Sequence, residues 1–131
     1  MVSRGFEWSG VRFRLPEDWD VAQVDNAVLA HDDANRSFTV TRRRGAMDSV
    51  VDAWDRELAE YEPRQLGVAS GAGPVNGVMR ELLVDSNRVL TQLFVELEES
   101  TVVATYAADH GDSYDRDQAH RILRSIHVRQ G

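Results

Sequence analysis

Hydrophobic and polar positions alternate near the start of the chain: Phe6, Trp8, Val11, Phe13 and Leu15 occupy every second place on either side of Ser9-Gly10, ahead of Pro16. A period of two predicts a short strand, a tight turn and a second strand that the proline stops. Trp19, just past the proline, is expected to fold back over the sheet edge. The stretch "VAQVDNAVLAHDDANRSFTVTR" predicts two further strands, broken at Asp32–Asn35 where turn-forming residues cluster.

The period then changes. Val50, Trp54, Leu58 and Tyr61 recur at steps of four, four and three, with Asp52, Asp55, Arg56 and Glu60 off that stripe, which predicts an amphipathic helix from Asp48 to Tyr61. Asp48 is the expected N-cap and Pro63 the stop. Four β-rich segments follow, "RQLGVASG", "GVMRELLVDS", "RVLTQLFVELEE" and "STVVATYA", separated by turn residues and read as an antiparallel meander. A last helix is expected from Asp112 or Ser113, burying Tyr114, Ala119, Ile122, Leu123 and Ile126, and releasing the tail "HVRQG". The fold class expected from this order is α+β, one domain over residues 1–131, with a single antiparallel sheet flanked by two main helices.

That sheet carries more apolar surface than one buried face needs. In "RVLTQLFVEL", Val89, Thr91, Leu93, Val95 and Leu97 share one face, and Leu90, Gln92, Phe94 and Glu96 the other. "TVVATYA" sets Val103 and Thr105 against Val102, Ala104 and Tyr106, and "VMRELLV" sets Val78, Leu82 and Val84 against Met79 and Leu83. Either the N-terminal hairpin or the second helix covers the second face, or that face is a groove for a partner's apolar segment or a homodimer contact. Gln92 leans toward the groove, where its amide can bond a ligand's backbone.

Charge narrows the choice of partner. The net charge of −7 opposes a protein whose main partner is a polyphosphate. "RSFTVTRRRG" is no exception, because alternation puts its arginines on both faces of the strand's end. With no cysteine, thiolate metal sites, disulfides and thiol catalysis are excluded. Histidines 31, 110, 120 and 127 match no metal-ligand spacing. "SGAGPVNG" fails as a phosphate cradle, since Pro74 removes a needed N–H and a strand follows; a hairpin loop is expected. "DHGD" at 109–112 reads as a turn and helix cap. No nucleophile or acid/base pair stands out, so no catalytic residue, metal or cofactor is expected. No apolar run approaches a membrane span, and a cytoplasmic protein is expected.

The order of "FRLPEDW" (Phe13, Arg14, Leu15, Pro16, Trp19), "RSFTVTR", a helix carrying Tyr61, "TQLFVELEESTVVATYAA" and a terminal "ILRSI" resembles the PsbP/Mog-like fold over nearly the whole chain. Within it, the pattern resembles the DcrB-type domain shared with the effector-associated (Eag) chaperones of type VI secretion. The resemblance implies a small, acidic, dimeric cytoplasmic chaperone whose sheet groove shelters an apolar helical segment of an effector before export. It implies a partner-binding surface made by Met79, Leu90, Gln92, Phe94, Ala104 and Tyr106. Gln92 matches the family's groove glutamine; the usual second glutamine is not evident, and Phe94 stands two residues on. An uncharacterised homodimeric or small-ligand module of the same fold is the alternative.

Overall fold

Ser9 and Gly10 both have positive φ, 50° and 79°. That is the geometry of a two-residue primed turn, whose twist matches the strands it joins. It connects β1 (Ser3–Trp8) to β2 (Val11–Pro16), paired antiparallel from Ser3–Pro16 to Trp8–Val11. The structure, a computed structural model, describes residues 3–24, 26–70, 77–111 and 115–128. Beyond Pro16 the Trp19 N–H closes a turn on the Pro16 carbonyl, and a second sheet begins with β3 (Asp20–Val24), β4 (Ala27–His31) and β5 (Ser37–Arg44). Helix α1 (Met47–Leu58) and a 3₁₀ turn (Ala59–Tyr61) then lead to β6 (Arg64–Ser70), β7 (Gly77–Val84), β8 (Arg88–Glu96) and β9 (Ser100–Asp109). Helix α2 (Arg116–Arg124) and the two-residue β10 (His127–Val128) finish the described chain.

The strands form two antiparallel sheets. One has three strands in the order β1-β2-β10; the other has seven, β3-β4-β5-β9-β8-β7-β6. The expectation of a single sheet flanked by two main helices is therefore corrected: the molecule is mainly β, and a small sheet stacks on the large one. The physical reason lies in β2, where Val11, Phe13 and Leu15 are buried while Arg12 and Arg14 are exposed. Such a strand is half solvated, an outer layer laid over a core rather than a member of a sheet covered on both sides. The "HVRQG" tail accounts for the rest, because His127 and Val128 pair with Arg12 and Val11 as the third strand instead of leaving the fold.

The main core lies between the sheets. Trp8, Val11, Phe13 and Leu15 meet Phe38, Val40, Leu93, Val102, Ala104 and Tyr106, and α2 closes the layer with Ala119, Ile122, Leu123 and Ile126. Trp19 is inside this core, 6.2 Å from Tyr106 ring to ring, rather than over the sheet edge. The other face of the large sheet meets α1, which packs Val50, with Met47, Val51 and Trp54, on Phe94 and Val103. The route of the chain puts α1 there, since it must cross from β5 in the middle of the sheet to β6 at the edge.

Three smaller expectations need amendment. The stretch before the arginines holds three strands, not two, because "AVLAH" separates from "DVAQV" after Val24. Helix α1 is capped at Ala46 with no side-chain bond; the Glu96 carboxylate accepts from the Met47 N–H at 2.8 Å, and Asp48 sits in the first turn. The expected loop at 71–76 and the expected start of α2 at Asp112 or Ser113, with Tyr114, lie outside the described residues. Among the described residues, α2 begins at Arg116, with the Asp115 carboxylate accepting from the Gln118 N–H at 3.0 Å. Asp115→Ala should lower stability by about 1 kcal/mol, read as a shifted urea midpoint at unchanged slope.

Candidate functional site

Cross-strand register decides which residues share a face. Phe94 lies opposite Val103, Gln92 opposite Thr105 and Leu90 opposite Ala107, all on the side facing α1. Leu93 pairs with Ala104, Thr91 with Tyr106 and Met79 with Leu93, on the side facing the small sheet. The six residues expected to form one surface are thus divided: Leu90, Gln92 and Phe94 on the helix face, Met79, Ala104 and Tyr106 in the core between the sheets. Five of the six are buried and Leu90 is half-buried.

Gln92 has no need of a ligand in this arrangement. It is fully buried, its carbonyl oxygen accepts from Arg80 Nε at 2.9 Å, and its Nε2 donates to Thr105 Oγ1 at 3.2 Å. Arg80 Nη1 donates to Asp55 of α1 at 2.8 Å, and its guanidinium lies 5.1 Å from the centre of the Phe94 ring. The outcome is a polar row across β7, β8 and β9, tied to the helix above. Three buried polar atoms have no partner among the described residues, Arg80 Nη2, Trp54 Nε1 and Thr41 Oγ1, and all belong to residues of the helix-face layer.

The arginines that end β5 fasten neighbouring parts. Arg42 donates to Ser100 Oγ at 3.0 Å and to the Ser9 carbonyl at 2.9 Å, holding the β1–β2 turn against the large sheet. Arg43, on the opposite face, stacks 4.7 Å from the Trp54 ring and reaches Glu57 at 3.3 Å, holding α1. The alternation read from the sequence is the one observed.

On the core side, Tyr106 donates to Gln118 at 2.9 Å. Its phenol is pushed up to about 12, first by burial and then by the carboxylates of Asp115 and Asp32, against the opposing effect of Arg36. Glu81, nearly buried, accepts from Arg116 Nη2 and Nε at 3.0 and 3.2 Å and has His120 Nε2 at 3.7 Å. Asp109 of "DHGD" pairs with Arg88 at 2.9 Å. Among the described residues no group of three or more His, Cys, Asp or Glu side chains could hold a metal, and no helix is long and apolar enough to cross a membrane.

One part of the helix face is left open. Register places Ala22 and Val24 of β3, Ala27 and Leu29 of β4, and Ser37, Thr39 and Thr41 of β5 on the same side as α1. Helix α1 packs on β8 and β9, and Val24 and Leu29 remain 48% and 41% exposed. The sequence held a signal for this: "AVLAH" carries apolar groups on both faces, as β7 to β9 do. Sequence reasoning passed over it because the strand is short.

No protein-family profile matches the chain. No curated protein matches it in sequence. A solved structure is similar in fold: a protein of Bacteroides thetaiotaomicron VPI-5482, determined by crystallography at 1.50 Å, superposes with a TM-score of 0.62 at 13% identity. The match covers 99% of this chain and 50% of that one, so this chain spans about half the length of its structural neighbour. At that identity the likeness is one of fold alone.

Proposed function

We propose that the protein is a non-enzymatic binding protein that shelters an apolar helical segment of a partner, in the manner of a cytoplasmic secretion chaperone. The observation that carries this reading is the open β3–β5 strip beside α1. Strands lie ~4.8 Å apart and packed helices 8–10 Å, so a helix roughly covers two strand spacings. Helix α1 occupies the middle of a seven-stranded face, and β3, β4 and β5 leave the width of one more helix beside it. Leu29 and Val24 give that strip an apolar floor, and the Ser37 and Thr39 hydroxyls give it polar anchors for a segment that is not uniformly apolar.

The resemblance to effector-associated chaperones supports the same job. The docking residues, however, are Val24, Leu29 and Thr39 rather than Gln92 and Phe94, which α1 and Arg80 already occupy. At about 25 cal/mol per Å² of apolar area removed from water, a helix laid on this strip is held by burial, with no chemical step.

A labelled Leu/Ala helical peptide of about 20 residues, the length of an apolar span, supplies the test. The wild-type chain should keep it in solution, and Leu29→Asp should lose that capacity while keeping the wild-type denaturation midpoint. Equal solubilisation by both would refute the site. If Leu29→Asp instead halves the particle size in gel filtration and no peptide is held by either protein, the face is a homodimer contact and the chaperone reading falls.

A further inference from the structure

We infer that the outer face of the three-stranded sheet is a docking trough for an extended acidic peptide. This site is separate from the β3–β5 strip, on the other side of the molecule, and does not depend on the role assigned to that strip.

The inward side of the small sheet is spent on the core, and its outward side alternates to Ser3, Gly5 and Glu7 on β1, Arg12 and Arg14 on β2, and His127 on β10. Two depressions follow β2. One, of about 450 Å³, is bounded by Arg12, Arg14 and His127; the other, of about 270 Å³, by Arg14, Arg121 and Pro16. They share Arg14 and Ser125, so they adjoin along the strand, and together they are the trough of this proposal.

Its charge is opposite to that of the molecule. The chain carries −7, yet among the described residues Arg12, Arg14 and Arg121 line the trough against a single carboxylate, Glu7, which stands 3.7 Å from Arg12 Nε. Arg14 is pre-oriented, with Nε donating to Ser3 Oγ and Nη2 to the Ser3 carbonyl, both at 3.0 Å. Gly5 lies across from Arg14 in register, and a Cβ there would sit 3.4 Å from Arg14 Nη1. Any larger side chain at position 5 would press on the guanidinium that faces the trough.

The spacing selects the class of ligand. Arg12 and Arg14 are alternate residues of one strand, ~7 Å apart, which is also the repeat between alternate side chains of an extended peptide. Carboxylates at every second position therefore meet successive guanidiniums, the pairing for which arginine is best suited. A nucleic acid fits less well, because its affinity comes from many cationic contacts and the trough offers three arginines.

The experiment measures anisotropy of a labelled alternating Glu/Ser peptide of about eight residues, titrated with the whole chain. An isomer with the same glutamates in one block, a Lys/Ser peptide and labelled oligo(dT) serve as competitors. The alternating peptide should bind, and weaken as salt rises from about 50 to 200 mM. Arg12→Gln and Arg121→Gln should each weaken it by about tenfold, whereas Arg44→Gln, an exposed arginine away from the trough, should change nothing. Equal affinity for the block isomer would remove the register argument. Tighter binding of oligo(dT), or the same loss from Arg44→Gln, would overturn the proposal.

Discussion

Phe94→Ala is expected to lower the unfolding free energy by about 3–5 kcal/mol, among the larger losses a single substitution can cause. Phe94 is 1% exposed, at the centre of the small cluster that seats α1, between Val50 and Val103. Removing the ring also takes away the surface on which the Arg80 guanidinium lies, and the helix has little other apolar anchorage. Calorimetry or urea denaturation reads the loss. Leu29→Ala, on the same sheet face but 41% exposed, should change stability by only about 0.5 kcal/mol. This contrast separates the position that builds the fold from the one assigned to partner binding, so that failure of a Phe94 variant to bind says nothing about a groove.

The second large effect is alkaline. The Tyr106 phenol ionises near 10 in an unfolded chain and only near 12 in the folded one, because burial and nearby carboxylates disfavour the phenolate. Above pH 10 the unfolded state has released this proton while the native state still holds it, so stability falls as pH rises. The contribution is fully present below pH 10 and lost progressively up to about 12, amounting to about 3 kcal/mol. Tyr106→Phe should cost about 1 kcal/mol at neutral pH through loss of the bond to Gln118, and should flatten the alkaline limb of a stability–pH profile. An unchanged limb would place the titration elsewhere.

Much of the secondary structure was legible because it is written in local period. The two steps of four through Val50, Trp54 and Leu58 correspond to α1, and the β6–β9 meander lies where its four segments suggested. The architecture was not, because it depends on pairing between distant residues. Two residues, His127 and Val128, carry no pattern of their own, yet they complete the small sheet. The six expected surface residues were grouped across two faces for a related reason. Alternation fixes the phase within β8 and within β9, but only the register between them says that Ala104 sits with Leu93 and not with Phe94. Surplus apolar character on both faces left two readings, a covered face or a groove, and at Phe94 and Gln92 the face is covered. The cover on that side is α1, whereas the hairpin and α2 cover the other.

The closure of the small sheet also bears on how the protein is made. The Arg14 N–H donates to Ser125 Oγ across 111 positions of chain, and β10 joins β2 from just beyond that point. Translation takes on the order of ten seconds to cover such a distance. For that time Phe6, Trp8, Val11, Phe13 and Leu15 have emerged from the ribosome while α2 and β10, which complete their layer, do not yet exist. A nascent chain arrested before residue 115 should therefore expose this face to chaperones and proteases, and emergence of α2 and β10 should protect it in a single late step.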